Sequence, residues 1–248
     1  MPPKINPALM PFLDHLRELR KRVIYSAIAV TILSVGAFIF YDPIITVVTR
    51  PFAALDSAVP DKRFFVMSLF EGFSTKLKVS VIVGMLLSFP IILYHILKFI
   101  FPGLRSRERK ILIAVLVASF LLIIISIYLS FFFLIPATVK LMTDMSFIPK
   151  QVGILLNYQD NIFYIFSFMF YSLLTFQLPI VLEILMALNL LSRRTLLKNS
   201  RYIIVAIFII AAAVTPPDAV SLLMLALPLV LLFYITILIA KICRFGEG

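Results

Sequence analysis

The chain has 248 residues, of which 62% are hydrophobic and only 14% charged, with a formal net charge of +11. A soluble domain runs at roughly 45–50% apolar and about a quarter charged, and a disordered chain is poorer still in apolar residues, so both classes are excluded. What remains is a membrane protein that crosses the bilayer several times.

The first 22 residues carry prolines and a basic cluster with no apolar stretch ahead of it, so they do not read as a cleavable signal peptide. Phe12, Leu13, Leu16 and Leu19 recur there at helical spacing, which predicts an amphipathic helix within 1–22 lying on the cytoplasmic interface. Asp14 is placed to pair with Arg17, and Glu18 stands four residues before Arg22, the spacing of a surface ion pair. Without that pair, Glu18 is a carboxylate at a membrane surface, available to a cationic ligand.

A helical crossing needs about 20 apolar residues. Runs of this kind predict spans at 23–41, 76–97, 110–136 and 161–191. The fourth, Ile162–Leu191, is longer than a bilayer requires and is interrupted by Gln177, Glu183 and Asn189, so it should tilt, kink or project. The fifth, at 201–215, has an apolar run of only about 13 residues, which reaches about 20 Å and falls short of the hydrocarbon core. Thr215-Pro216-Pro217-Asp218 turns it into a sixth element at 219–240, where Asp218 is placed to cap the helix that follows. The expected fold class is an all-α membrane protein. It has one transmembrane domain over 1–248, with six helices of which the fifth and sixth are short.

The charges sort by face. Sixteen lysines and arginines with four acids fall on the side holding both termini, seven and seven fall on the other side, and Glu183 is left inside the membrane. The positive-inside rule puts both termini in the cytoplasm. The basic excess is then topology, and no nucleic-acid partner is called for.

Catalytic constellations are missing: there is no His-Glu-x-x-His, no Gly-rich phosphate loop and no Gly-x-Ser-x-Gly elbow, and neither His15 nor His95, which lie in different segments, has a nearby cysteine or carboxylate pair at ligand spacing. We therefore expect no metal, no cofactor and no enzymatic activity. A secondary transporter for a small solute is the alternative, but it calls for repeated halves and several polar groups at mid-membrane. Gly-x-x-x-Gly, a common helix-pairing device, is also missing from every span.

Several motifs carry a resemblance. Phe12-Leu13-x-His15-Leu16-x-Glu18-Leu19-Arg20, Arg50-Pro51, Phe89-Pro90-Ile91-Ile92-Leu93-Tyr94, Phe99-Ile100-x-Pro102-Gly103-Leu104, Glu108-Arg109, Phe176-Gln177-Leu178-Pro179, Thr215-Pro216-Pro217-Asp218 and Leu227-Pro228-Leu229 follow one another in this order. Together they resemble the TatC family, the multi-span receptor of the twin-arginine protein translocase, over nearly the whole chain. The resemblance implies a concave, glove-like receptor in the bacterial inner membrane. It would export folded proteins by their twin-arginine signal peptides, driven by the proton gradient. Its partners would be single-span TatA-like and TatB-like subunits, further copies of itself and membrane lipid.

By the same resemblance, Glu18 and Glu108 would meet the paired arginines, with His15, Arg20 and Phe99 on the same surface. Gln177 stands where the family usually has a glutamate and would mark a polar docking point for a partner helix, while Glu183, six residues on and on another face, is a further intramembrane polar position. Leu222 and Tyr234 replace two further polar positions. Pro51, Glu71, Pro216 and Asp218 would brace the extracytoplasmic cap.

Overall fold

The computed structural model describes residues 12–51, 64–100, 106–142, 156–187, 190–215 and 218–242; at 12–13 and 106–112 it describes the backbone alone. Helix α1 covers Phe12–Ile39 and α2 covers Tyr41–Val48; α3 runs over Leu69–Ile100. The third apolar run begins as α4, Ser106–Leu129, passes through a π-helical turn at Ser130–Leu134, and ends as α5, Ile135–Met142. The fourth is α6, Tyr158–Phe176, followed by α7, Leu178–Ala187. A short α8, Arg193–Lys198, leads to α9, Ser200–Val214, and to α10, Ala219–Ile242. Strands β1, Phe64–Phe65, and β2, Leu156–Asn157, pair in parallel.

Five of these helical stretches are long and apolar enough to cross a membrane; α9 is a shorter apolar helix of 15 residues. Their outer faces carry large exposed side chains such as Ile32, Ile39, Leu121, Ile209 and Leu231. In lipid, such faces need no cover, and association rests on close packing and interhelical hydrogen bonds instead.

Several elements depart from their apolar runs. The amphipathic stretch ahead of the first span continues into it without a break, because nothing between Phe12 and Ile39 interrupts the helix. The third run continues through Pro136 to Met142. Proline removes one backbone donor, and the wider turn just before it accommodates the ring. The fourth run breaks at Gln177, whose N–H bonds back to the Leu174 carbonyl at 3.1 Å, while Pro179 cannot supply the next helical donor.

The pairing of α1 with α3 has a local cause. On α3, Ser80, Gly84 and Ser88 repeat every fourth residue and are all buried. A Cβ at Gly84 would overlap Ser34 Oγ and approach the Ser34 backbone N at 2.7 Å and Cα at 2.8 Å. The helix-pairing device sought as Gly-x-x-x-Gly is therefore present with serines in two of its three places.

Candidate functional site

Because α1 and α3 are antiparallel neighbours, the start of α1 meets the end of α3. The face of α1 turned toward α3 is the polar one: His15, Glu18 and Arg22, at i, i+3 and i+7, are half-buried, while Leu16 and Leu19 are exposed. Leu16 and Leu19 thus point away from α3, as expected of a helix whose surroundings are lipid; the side chains of Phe12 and Leu13 lie outside the described residues. His15 stacks on Phe99 of α3, with ring centroids 4.3 Å apart and planes 16° from parallel.

Glu18 accepts from Arg22 Nε at 3.1 Å and also from Arg22 Nη2. Both donors converge on Oε1, and Oε2 is buried with no partner. Asp14 accepts from Arg17 at 3.2 Å, on the exposed side. Together with Lys21, Tyr25, His95 and Lys98 these residues line a cleft of about 430 Å³. Arg20 lies exposed on α1. Glu108 falls in the first turn of α4, and its side chain lies outside the described residues. The structure thus brings His15, Glu18 and Phe99 to one end of the α1–α3 pair.

Mid-membrane polarity is organised differently. Gln177, only 6% exposed, accepts from Ser119 Oγ through its Oε1, and its Nε2 is buried without a partner. Glu183, two turns further along, is half-buried and has no hydrogen-bond or ion-pair partner among the described residues. Sequence reasoning missed the hydroxyls around them. Ser119, Ser126 and Ser130 are fully buried on the third helical run, and Ser130 donates to Ser172 of α6 at 2.8 Å. Thr138 bonds Ser221 of α10 at 2.6 Å. The spacing of Ser119, Ser126 and Ser130 by seven and four residues puts them on one helix face, and that was the available signal.

At the opposite end of α3 sits Glu71, buried at 7% exposure. Glu71 makes the reaching-back half of a capping box at the start of α3: its Oε2 accepts from the Ser68 N–H at 3.2 Å and the Met67 N–H at 2.5 Å. Its other oxygen accepts from the Gln159 N–H at 3.2 Å, and Ser74 Oγ bonds Gln159 at 2.8 Å. One carboxylate therefore ties the start of α3 to the start of α6, beside the β1–β2 pair. Tyr41 and Tyr158 join the same brace through their hydroxyls, 2.7 Å apart. Burial and this bond push the Tyr41 phenol well above its ordinary range.

Lys76 reaches over the rings of Phe38 and Tyr41 at 4.6 and 5.4 Å. Pro51 is half-buried in a 3₁₀ turn after α2. Asp218 caps α10, accepting from the Ser221 N–H at 2.7 Å. Pro216 lies outside the described residues.

A sequence model of the family described as Sec-independent protein translocase protein (TatC) matches residues 14–228. The Sec-independent protein translocase protein TatC of Carboxydothermus hydrogenoformans is 34% identical over 244 residues, covering 95% of this chain and 94% of that protein. TatC of Aquifex aeolicus is 30% identical over 233 residues, covering 94% and 95%. A crystal structure described as the twin arginine translocase receptor TatC in DDM superposes with a TM-score of 0.77 at 29% identity, covering 94% of this chain and all of that one.

Proposed function

This chain belongs to the TatC family, which makes it a multi-pass membrane component of a Sec-independent protein translocase, and we propose that Glu18 and Glu108 hold the paired arginines of its twin-arginine signal peptides. The observation that carries this assignment is the state of Glu18. It is a half-buried carboxylate with one oxygen on Arg22 and the other unpaired, one turn from the His15–Phe99 stack. A buried, unsatisfied carboxylate oxygen costs free energy until a donor arrives. Guanidinium is the fitting donor, because it is always charged and presents two parallel N–H groups to a carboxylate. Glu108 opens a different helix, so two acids on separate elements suit two adjacent arginines.

In this reading the α1 end of the molecule and both termini face the cytoplasm of a bacterial inner membrane, and the Glu71 brace lies on the far side. Single-span TatA-like and TatB-like subunits dock near Gln177, whose unpaired Nε2 supports a polar contact there. Several copies assemble with them, and the proton gradient drives transport.

The test uses full-length protein in membranes. Glu18→Ala and Glu108→Ala are expected to weaken photo-crosslinking to a twin-arginine signal peptide by about 10- to 100-fold each, the range for a charged hydrogen bond. Protein abundance should not change. A Lys-Lys peptide should lose the same crosslinks from the wild type. Undiminished crosslinking in both variants overturns the assignment.

A further inference from the structure

The α1–α3 cleft carries more positive charge than a site for a cationic peptide calls for. Among the described residues, Arg17, Lys21, Arg22 and Lys98 line it against Asp14 and Glu18. Asp14 is taken by Arg17. Lys21 lies 5.9 Å from the Tyr25 ring and Lys98 makes a long 3.3 Å bond to the Tyr94 hydroxyl, and among the described residues neither lysine pairs with a carboxylate. His95 closes the inner wall, with Tyr25 and Tyr94 ring centroids at 5.8 and 5.4 Å and its Nδ1 buried without a partner. The cleft also has a defined depth. It sits where the apolar run of α1 begins at Val23 and that of α3 ends at Leu97, with two tyrosines at the level where aromatic side chains meet lipid headgroups.

We propose that this cleft binds the phosphate of an anionic phospholipid headgroup, held by Lys21, Arg22 and Lys98. The geometry of Arg22 gives the site a consequence. Its Nε and Nη2 both address a single oxygen of Glu18, so the pair lacks the two-oxygen fork that makes Arg–carboxylate bonds strong. A phosphate seated between Lys21 and Lys98 competes for this guanidinium. Drawn toward the phosphate, Arg22 leaves both oxygens of Glu18 to an incoming arginine, and the bound anion cancels positive charge that would repel the peptide. An anionic lipid thereby primes the receptor. This second step rests on Glu18 being a signal-peptide ligand; the headgroup site does not.

The experiment compares full-length wild type with Lys21→Gln/Lys98→Gln, two exposed positions whose change leaves the helix packing alone. Each protein is reconstituted in phosphatidylcholine with and without phosphatidylglycerol, and retained phosphatidylglycerol is read by native mass spectrometry without peptide. The double variant is expected to retain it about 25-fold less tightly, from about fivefold per lysine near an anionic surface. Twin-arginine peptide affinity of the wild type should rise with phosphatidylglycerol, and that rise should vanish in the double variant. Equal retention by the two proteins overturns the headgroup site. If millimolar inorganic phosphate in pure phosphatidylcholine reproduces the rise and phosphatidylglycerol is not retained, the lipid source is overturned in favour of soluble phosphate. Selective retention with a peptide affinity that ignores Glu18→Ala leaves the site standing and removes the signal-peptide role of Glu18.

Discussion

Adding one methyl group at Gly84 tests how α1 is held. The Cβ of Gly84→Ala would lie 2.7 Å from the backbone N and 2.8 Å from the Cα of Ser34, besides overlapping Ser34 Oγ. Ordinary carbon contacts sit at about 3.5–4.0 Å, so α1 and α3 must part by roughly 1 Å along the seam. Overpacking of this kind costs about 1–3 kcal/mol, set against a gain of up to about 1 kcal/mol from replacing glycine in a helix. Gly36→Ala is the built-in control: it lies on α1 two residues from Ser34, and a Cβ there meets nothing within 4 Å. It should be neutral or stabilising, and because the gain from replacing glycine is common to both, the gap between the two variants is the overpacking cost of about 1–3 kcal/mol. The assay is unfolding in mixed micelles against detergent denaturant, with a spectroscopic pair reporting α1–α3 separation. Ser34→Gly in the Gly84→Ala background should rescue only in part, because the two backbone contacts remain. If Gly84→Ala and Gly36→Ala unfold together, close backbone approach does not hold α1.

Three further variants probe the other joints. Glu71→Ala leaves the N–H groups of Met67, Ser68 and Gln159 without their acceptor, and hydrogen exchange at 67–75 and 157–160 should accelerate while the α1 end keeps its protection. Gln177→Leu removes the Ser119 bond, a loss of about 0.6 and at most about 1.7 kcal/mol in a membrane, so the protein should accumulate normally while copurification of single-span partners falls. Undiminished copurification speaks against docking at Gln177. Asp218→Ala removes the cap of α10 and should cost about 1 kcal/mol, recovered in large part by Asp218→Ser or Asp218→Asn; failure of both to recover stability would assign Asp218 a role beyond capping.

Much of this was legible in the sequence because membrane spans announce themselves by length and apolarity. The long fourth run was expected to tilt, kink or project, and it kinks at Gln177, where Pro179 withholds a donor. Ser68-Leu69-Phe70-Glu71 could be read as a capping box, but its reach to Gln159 across 88 positions is a tertiary fact that spacing does not contain. The amphipathic character of the start of α1 was legible from the spacing of its leucines, but that its polar residues His15, Glu18 and Arg22 pack toward α3 is a tertiary fact that spacing does not contain. Ser80, Gly84 and Ser88 escaped notice because the search was for glycine, while the packing requirement is only for small volume.

The polar groups inside the described part of the protein fall into two kinds. Ser130–Ser172 and Thr138–Ser221 bond hydroxyl to hydroxyl between helices, which satisfies them and fixes one helix to the next. Glu18, Gln177 and Glu183 do not close in this way. Glu18 Oε2 and Gln177 Nε2 are buried and unpaired, and Glu183 has no partner among the described residues. Groups of the first kind are finished when the chain has folded. Those of the second stay costly until something outside the chain supplies a donor or an acceptor. Two of these three lie along the fourth helical run and one at the end of the α1–α3 pair, where His95 Nδ1 is also buried without a partner among the described residues. On the proposed assignment of Glu18 to the signal peptide and Gln177 to a partner helix, Glu18→Ala and Gln177→Leu should impair different steps: the first peptide crosslinking, the second partner copurification.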